Sequence, residues 1–296
     1  MRGARGLAAF AVAWAVLGHS AAAEDVTTVA ALARATHFHG LAVDTADPAR
    51  VYLATHHGLF AVSGDGTARA ISKDRHDFMG FTAHPTDPGI LFSSGHPAHG
   101  GNLGFMVSTD RGVTWRKRAD GVGGPVDIHH MDVSKADPRV VYGVHDGLQV
   151  SRDGGKTWAT VASAPPDLLQ IAASAAAVDT LYAATVPGLL RSRDGGRTWA
   201  SAYPQRAPAT MVSVTPAGAV FAFVVGVGLV RAVEPDLAWR TLDGEFADLY
   251  VIHGAVDPSD ERTLYVVTVA AASRAQDVRM SRDGGATWRS LSTAAP

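Results

Sequence analysis

Four copies of one octet, S-x-D-x-G-x-T-W, constrain this chain more than any other feature. They run Ser108–Trp115, Ser151–Trp158, Ser192–Trp199 and Ser281–Trp288. Self-similarity at a fixed period decides architecture before any single segment does. Each octet reads as a hairpin turn between two strands. An Asp in a turn accepts hydrogen bonds from backbone N–H groups one and two residues on, and the Ser and Thr hydroxyls join that network. Gly112, Gly155, Gly196 and Gly285 supply the positive φ of a tight turn. The Trp begins the outgoing strand and carries apolar area into the space between neighbouring sheets. Asp110, Asp153, Asp194 and Asp283 are therefore scaffold rather than catalysts.

Two weaker copies complete the series, Ser63-Gly64-Asp65-Gly66-Thr67 and Pro235-Asp236-Leu237-Ala238-Trp239. The turn aspartates Asp65, Asp110, Asp153, Asp194, Asp236 and Asp283 follow one another at intervals of 41 to 47 residues. Short β-rich runs separated by turn residues fill each interval, which is the pattern of an all-β fold. Six units of four strands (A to D) predict a six-bladed β-propeller with four-stranded antiparallel blades, closed so that no sheet edge is left open at the centre. Helical periodicity is confined to Val29–Arg34.

The octets resemble the Asp-box (BNR) repeats of sialidases, sortilin-type receptors and photosystem II assembly-factor propellers, and the chain is similar to a bacterial, exported, glycosyl-hydrolase-like branch of them. The resemblance covers nearly the whole chain after residue 23. It implies a propeller whose Asp boxes lie between the third and fourth strands of each blade, and it is silent on substrate because this fold carries unrelated activities.

Residues 1–23 have the form of a secretory signal: Arg2 and Arg5, an apolar run from Leu7 to Leu17, and the small residues Ala21-Ala22-Ala23. A single domain over residues 24–296 is expected, monomeric, periplasmic or secreted, with no membrane anchor once the signal is removed. Without Arg2 and Arg5 the net charge moves from −2 to −4, against a nucleic-acid partner. Cysteine is absent, so the fold must be held by its core and any metal site must do without thiolate.

Strands in a propeller alternate direction, so D-to-A and B-to-C connections open on one face and the Asp boxes on the other. Of the twelve histidines after the signal, eleven fall on the first face and only His84 on the second. Aligning the repeats on strand A matches His39 with Met79, His129, Gln170, Met211 and Ile252 or His253. His37, His57, His96, His130 and His145 stand close behind. These residues (His37, His39, His57, Met79, His96, His129, His130, His145, Met211 and His253) form the candidate metal site. Imidazole suits copper, zinc, nickel and iron, and a thioether tilts the preference to copper, so copper is favoured over zinc.

Two other functions are weighed against it. A glycosidase needs two nearby carboxyl groups, and Asp77, Asp127, Asp146, Glu245 and Asp248 are the acids expected on that face. Resemblance to sialidases implies an arginine clasp, for which Arg34, Arg75, Arg206 and Arg274 are in reach, but the sialidase Arg-Ile-Pro signature is absent. Resemblance to sortilin and the assembly factors implies a protein partner on the upper face.

Overall fold

The structure, a computed structural model, describes residues 26–242 and 246–293. The signal segment 1–23 and Glu245 lie outside the described residues. Six antiparallel sheets follow one another along the chain, and their innermost strands form a closed ring: Phe38–Val43, Asp77–Ala83, His130–Val133, Leu168–Ala173, Ala209–Val214 and Leu249–Val256. The all-β, six-bladed propeller is as the repeat requires. Blade one departs from the four-strand rule. The strand Val26–Thr28 pairs antiparallel with Thr67–Ala70 and caps the outer edge as a fifth strand. Thr28 then caps a helix, Val29–Ala35, its hydroxyl accepting from Ala31 N at 3.1 Å.

Six hydrophobic clusters account for the core, one between each adjacent pair of blades. Tyrosines on the second strands reach across these interfaces to polar partners on the next blade. Tyr142 Oη donates to Val178 O at 3.1 Å and Tyr182 Oη to Glu234 Oε1 at 2.9 Å. Tyr265 Oη donates to Pro48 O at 3.2 Å, which ties blade six to blade one. Phe38 N also donates to Gln276 Oε1 at 2.9 Å. Among the described residues the ring is thus closed by packing and hydrogen bonds, with no strand exchanged between the two ends.

The four intact boxes are built alike. In each, the Ser Oγ donates to Asp Oδ1 at 2.7–2.8 Å and accepts from the second Gly position at 2.7–2.9 Å. The Asp accepts from the Thr N–H four residues on at 2.9 Å in every copy, not from the adjacent N–H groups that turn chemistry predicts. Its other oxygen takes the Thr hydroxyl. The Trp stands one residue before the outgoing strand instead of starting it, and its Nε1–H donates to the carbonyl of the box glycine. Its ring still enters the inter-blade space: Trp158 stands edge-on to Phe105 of the preceding blade, with centroids 5.0 Å apart.

Candidate metal centre

On the face opposite the boxes, the ends of the second strands and the starts of the inner strands crowd around the channel mouth. Two groups of metal-competent side chains form there, His39 with His56 and Asp77, and His96 with Asp127 and His129. The same device builds both. A histidine at or just past the end of the second strand of one blade (His96, His56) meets an aspartate at or shortly before the inner strand of the next (Asp77, and Asp127 three residues ahead of His130), and a rim histidine joins them.

In the second group both imidazoles aim Nε2 at a single oxygen. Asp127 Oδ2 is 2.9 Å from His96 Nε2 and 2.5 Å from His129 Nε2. The other ring nitrogen of His96 donates to the carbonyl of Gly101 at 2.9 Å, and His145 Nδ1 donates to the carbonyl of Asp127 at 2.9 Å. Burial pushes the Asp127 carboxyl up, but His129 and His96 outweigh it and hold the group below the usual carboxylate range. The hydrogen bond with Asp127 raises His129, against its own partial burial.

In the first group His56 Nδ1 lies 2.6 Å from Asp77 Oδ2, and His39 Nε2 lies 3.6 Å from Asp77 Oδ1. The rings of His39 and His56 stand edge to face, 4.2 Å apart. Burial lowers His39 to about 4, Asp77 opposing this and the neighbouring histidines adding to it. Below these groups, a cavity of about 50 Å³ is lined by His39, His129, His130, Gln170 and His253. Burial lowers both His130 and His253 to about 4, so both are neutral imidazoles at pH 7.

The remaining residues of the predicted site fall elsewhere. His37 and His57 are exposed, and His37 touches only the edge of the first group, its ring 5.4 Å from that of His56. Met79 is part-buried and lines no wall of the small cavity. Met211 is 1% exposed and packed in the core between blades five and six, against Gly254. The inner strands of blades one, four, five and six carry bulges at His39, Leu169, Thr210 and Ile252. Gln170, Met211 and His253 therefore all match Gly40 rather than His39. Of the three, Gln170 and His253 line the cavity while Met211 packs into the core against Gly254. Conversely, His56 lies outside the predicted set, and the sequence offers Asp77 and Asp127 only as hydrolytic acids. A histidine closing strand B followed by an aspartate opening the next strand A is the pattern that identifies them.

The opposite mouth has a different character. It widens to a cavity of about 150 Å³ lined by Thr45, Thr82, His84, Asp132 and Lys135, with Lys135 paired to Asp132. No helix among the described residues is long and apolar enough to cross a membrane.

The BNR/Asp-box repeat model matches residues 149–160, which hold the second intact octet. No curated protein matches the sequence. Among solved structures, the GH74 enzyme of Niastella koreensis is 16% identical, with a TM-score of 0.60 over 86% of this chain and 45% of that one. The chain thus spans less than half the length of that enzyme. XC5397, a gluconolactonase from Xanthomonas campestris, is 14% identical, with a TM-score of 0.59 over 81% of this chain and 85% of its own. YCF48 bound to a D1 peptide is 14% identical, with a TM-score of 0.51 over 86% and 82%. Likeness at this level of identity establishes the Asp-box propeller fold alone.

Proposed function

We propose that this chain is an exported, metal-binding Asp-box propeller whose His96, Asp127 and His129 hold one divalent transition-metal ion at the channel mouth. One observation carries the reading. The Gly101 carbonyl takes the Nδ1–H of His96, so in the neutral ring Nε2 bears the lone pair, and that lone pair faces a carboxylate oxygen 2.9 Å away. Two electron-rich atoms at that distance repel unless a cation or a proton lies between them. A backbone carbonyl on the far ring nitrogen is also the arrangement that orients metal-ligating histidines.

Two imidazoles and a carboxylate suit Zn(II), Cu(II) and Fe(II). The preference for copper rests on thioether ligands, and neither Met79 nor Met211 belongs to this group. Copper remains a candidate as Cu(II) rather than Cu(I). Loading with Zn(II) or Cu(II), dialysis and inductively coupled plasma mass spectrometry test the site. The wild-type chain is expected to retain an ion that the His96→Ala/His129→Ala variant releases; equal retention by the variant would count against this site.

A glycosidase, the activity class of the GH74 enzyme, needs a carboxyl group held protonated. Asp127, one of the acids expected on this face, is shifted the opposite way. The second reading is a protein partner on the same face. It is supported by Val122, Leu169 and Val186, large apolar side chains 37–48% exposed along the upper edge of blades two to four, and by the peptide bound to YCF48. Unchanged binding of a peptide array by a Leu169→Asp/Val186→Asp variant would remove it.

A further inference from the structure

We infer that the channel mouth holds a second divalent cation, ligated by His39, His56 and Asp77, distinct from the ion at Asp127. His39 Nε2 and Asp77 Oδ1 are both shut away from solvent and have no hydrogen-bond partner among the described residues. They are 3.6 Å apart, too far for a hydrogen bond with each other. A buried polar atom left unpaired is costly, so two of them side by side mark a place where a shared partner fits. Two ligand atoms that each sit about 2.0–2.2 Å from a shared ion, at a roughly tetrahedral angle, are separated by about this distance. The spacing is that of two ligands of one ion.

The neighbouring atoms agree with a cation rather than a water molecule. Asp77 supplies negative charge at the point of closest approach. Its other oxygen is 2.6 Å from His56 Nδ1, which brings that imidazole within ligand reach of the same carboxylate, and the His56 ring lies edge-on to His39. The group also repeats, one blade back, the device at Asp127. His56 and Asp77 stand to blades one and two as His96 and Asp127 stand to blades two and three. Asp127 Oδ1 is likewise buried without a partner among the described residues. The repeat thus produces two similar donor sets at adjacent blade interfaces. Neither set contains sulfur, and both suit a borderline divalent ion.

This inference concerns the same mouth as the proposed function but does not require it, and one experiment separates them. Each chain is loaded with excess Zn(II), dialysed and counted for zinc by mass spectrometry, alongside Asp77→Asn, His39→Gln, Asp127→Asn and the Asp77→Asn/Asp127→Asn double variant. Circular dichroism melts check that each remains folded, and His39→Gln stands in should Asp77→Asn fail to fold. The expected result is about two ions in the wild type, about one in each variant at either group, and none in the double variant. A wild type holding about one ion, with Asp77→Asn and His39→Gln unchanged, overturns the second site and leaves the first intact. Zinc retained in full by Asp127→Asn but lost by Asp77→Asn supports the second site and sinks the first.

Discussion

Gly155 and Phe105 meet so closely that a β-carbon on Gly155 would lie 1.9 Å from Cε1 of the phenyl ring. The box glycine of blade three therefore needs its missing side chain for two reasons. Its φ is +85°, and its backbone is seated on a third-strand side chain of the preceding blade. Gly196 stands in the same relation to Leu148, and Gly112 to Leu59. The Asp box is thus a clamp between blades as well as a turn within one.

Gly155→Ala is expected to destabilise the fold by about 2–4 kcal/mol, combining backbone strain with overpacking against a fixed ring. Gly154 is the internal control. Its φ is +74°, but nothing lies within 4 Å of the point where its β-carbon would stand. Gly154→Ala should cost only about 1 kcal/mol of strain. Equal losses in thermal denaturation would show that the approach to Phe105 does not matter.

Acid should loosen the boxes. Thr287 holds Asp283 at about 2, with Ser281 assisting, and Asp153 and Asp194 are held low by Thr157 and Thr198 in the same way. For a depressed carboxylate, the stabilisation is complete above the unfolded-state value near ~4 and is lost as pH falls through the folded value. Denaturation midpoints followed from about pH 5 to about pH 2 should fall for the wild type and fall less steeply for Asp283→Asn. A variant with the same slope would contradict this account of the turn.

His253 predicts a separate loss at milder acidity. Its folded value is about 4, set mainly by burial and then by repulsion from His39. The unfolded chain takes up a proton near ~6.5, so metal-free protein loses stability as pH falls from there towards 4 and loses no more from this residue below it. His253→Gln should flatten that interval. A slope unchanged by the substitution would mean that the imbalance arises elsewhere.

The architecture is legible in the sequence because each box repeats its own local hydrogen bonds, and the interval between boxes counts the blades. Strand direction follows from the order of turns, and His39, His129, His130 and His253 line one cavity while His84 lines the other. Which side chains meet is not legible. A bulge of one residue at Thr210 shifts Met211 out of register with His39, and the identical bulges before Gln170 and His253 leave those two on the cavity wall, so neither register nor local composition alone tells which side chains reach the cavity. The fifth strand of blade one is hidden in the same way. Val26–Thr28 is three residues long and draws its pairing from Thr67–Ala70, about forty residues away. Asp77 and Asp127 are visible as acids, but His56 and His96, which they meet, come from another blade.

The distribution of ligands makes a graded prediction for the rim. His96→Ala should weaken zinc binding severely, by removing a ligand. His145→Ala, which removes the donor to the Asp127 carbonyl, should weaken it by about 10-fold or less, towards the low end of outer-sphere effects. His57→Ala, at an exposed position outside both groups, should leave it unchanged. Calorimetric titration with Zn(II) measures all three, and an order reversed between His57 and His96 would misplace the centre.

Anomalous diffraction from zinc-loaded crystals, collected on both sides of the zinc edge, tests the central claim most directly. The account predicts a peak about 2.0–2.2 Å from the Nε2 atoms of His96 and His129 and from a carboxylate oxygen of Asp127. A fully loaded crystal with no peak at the channel mouth, or with zinc only on exposed histidines such as His57 and His99, would contradict it.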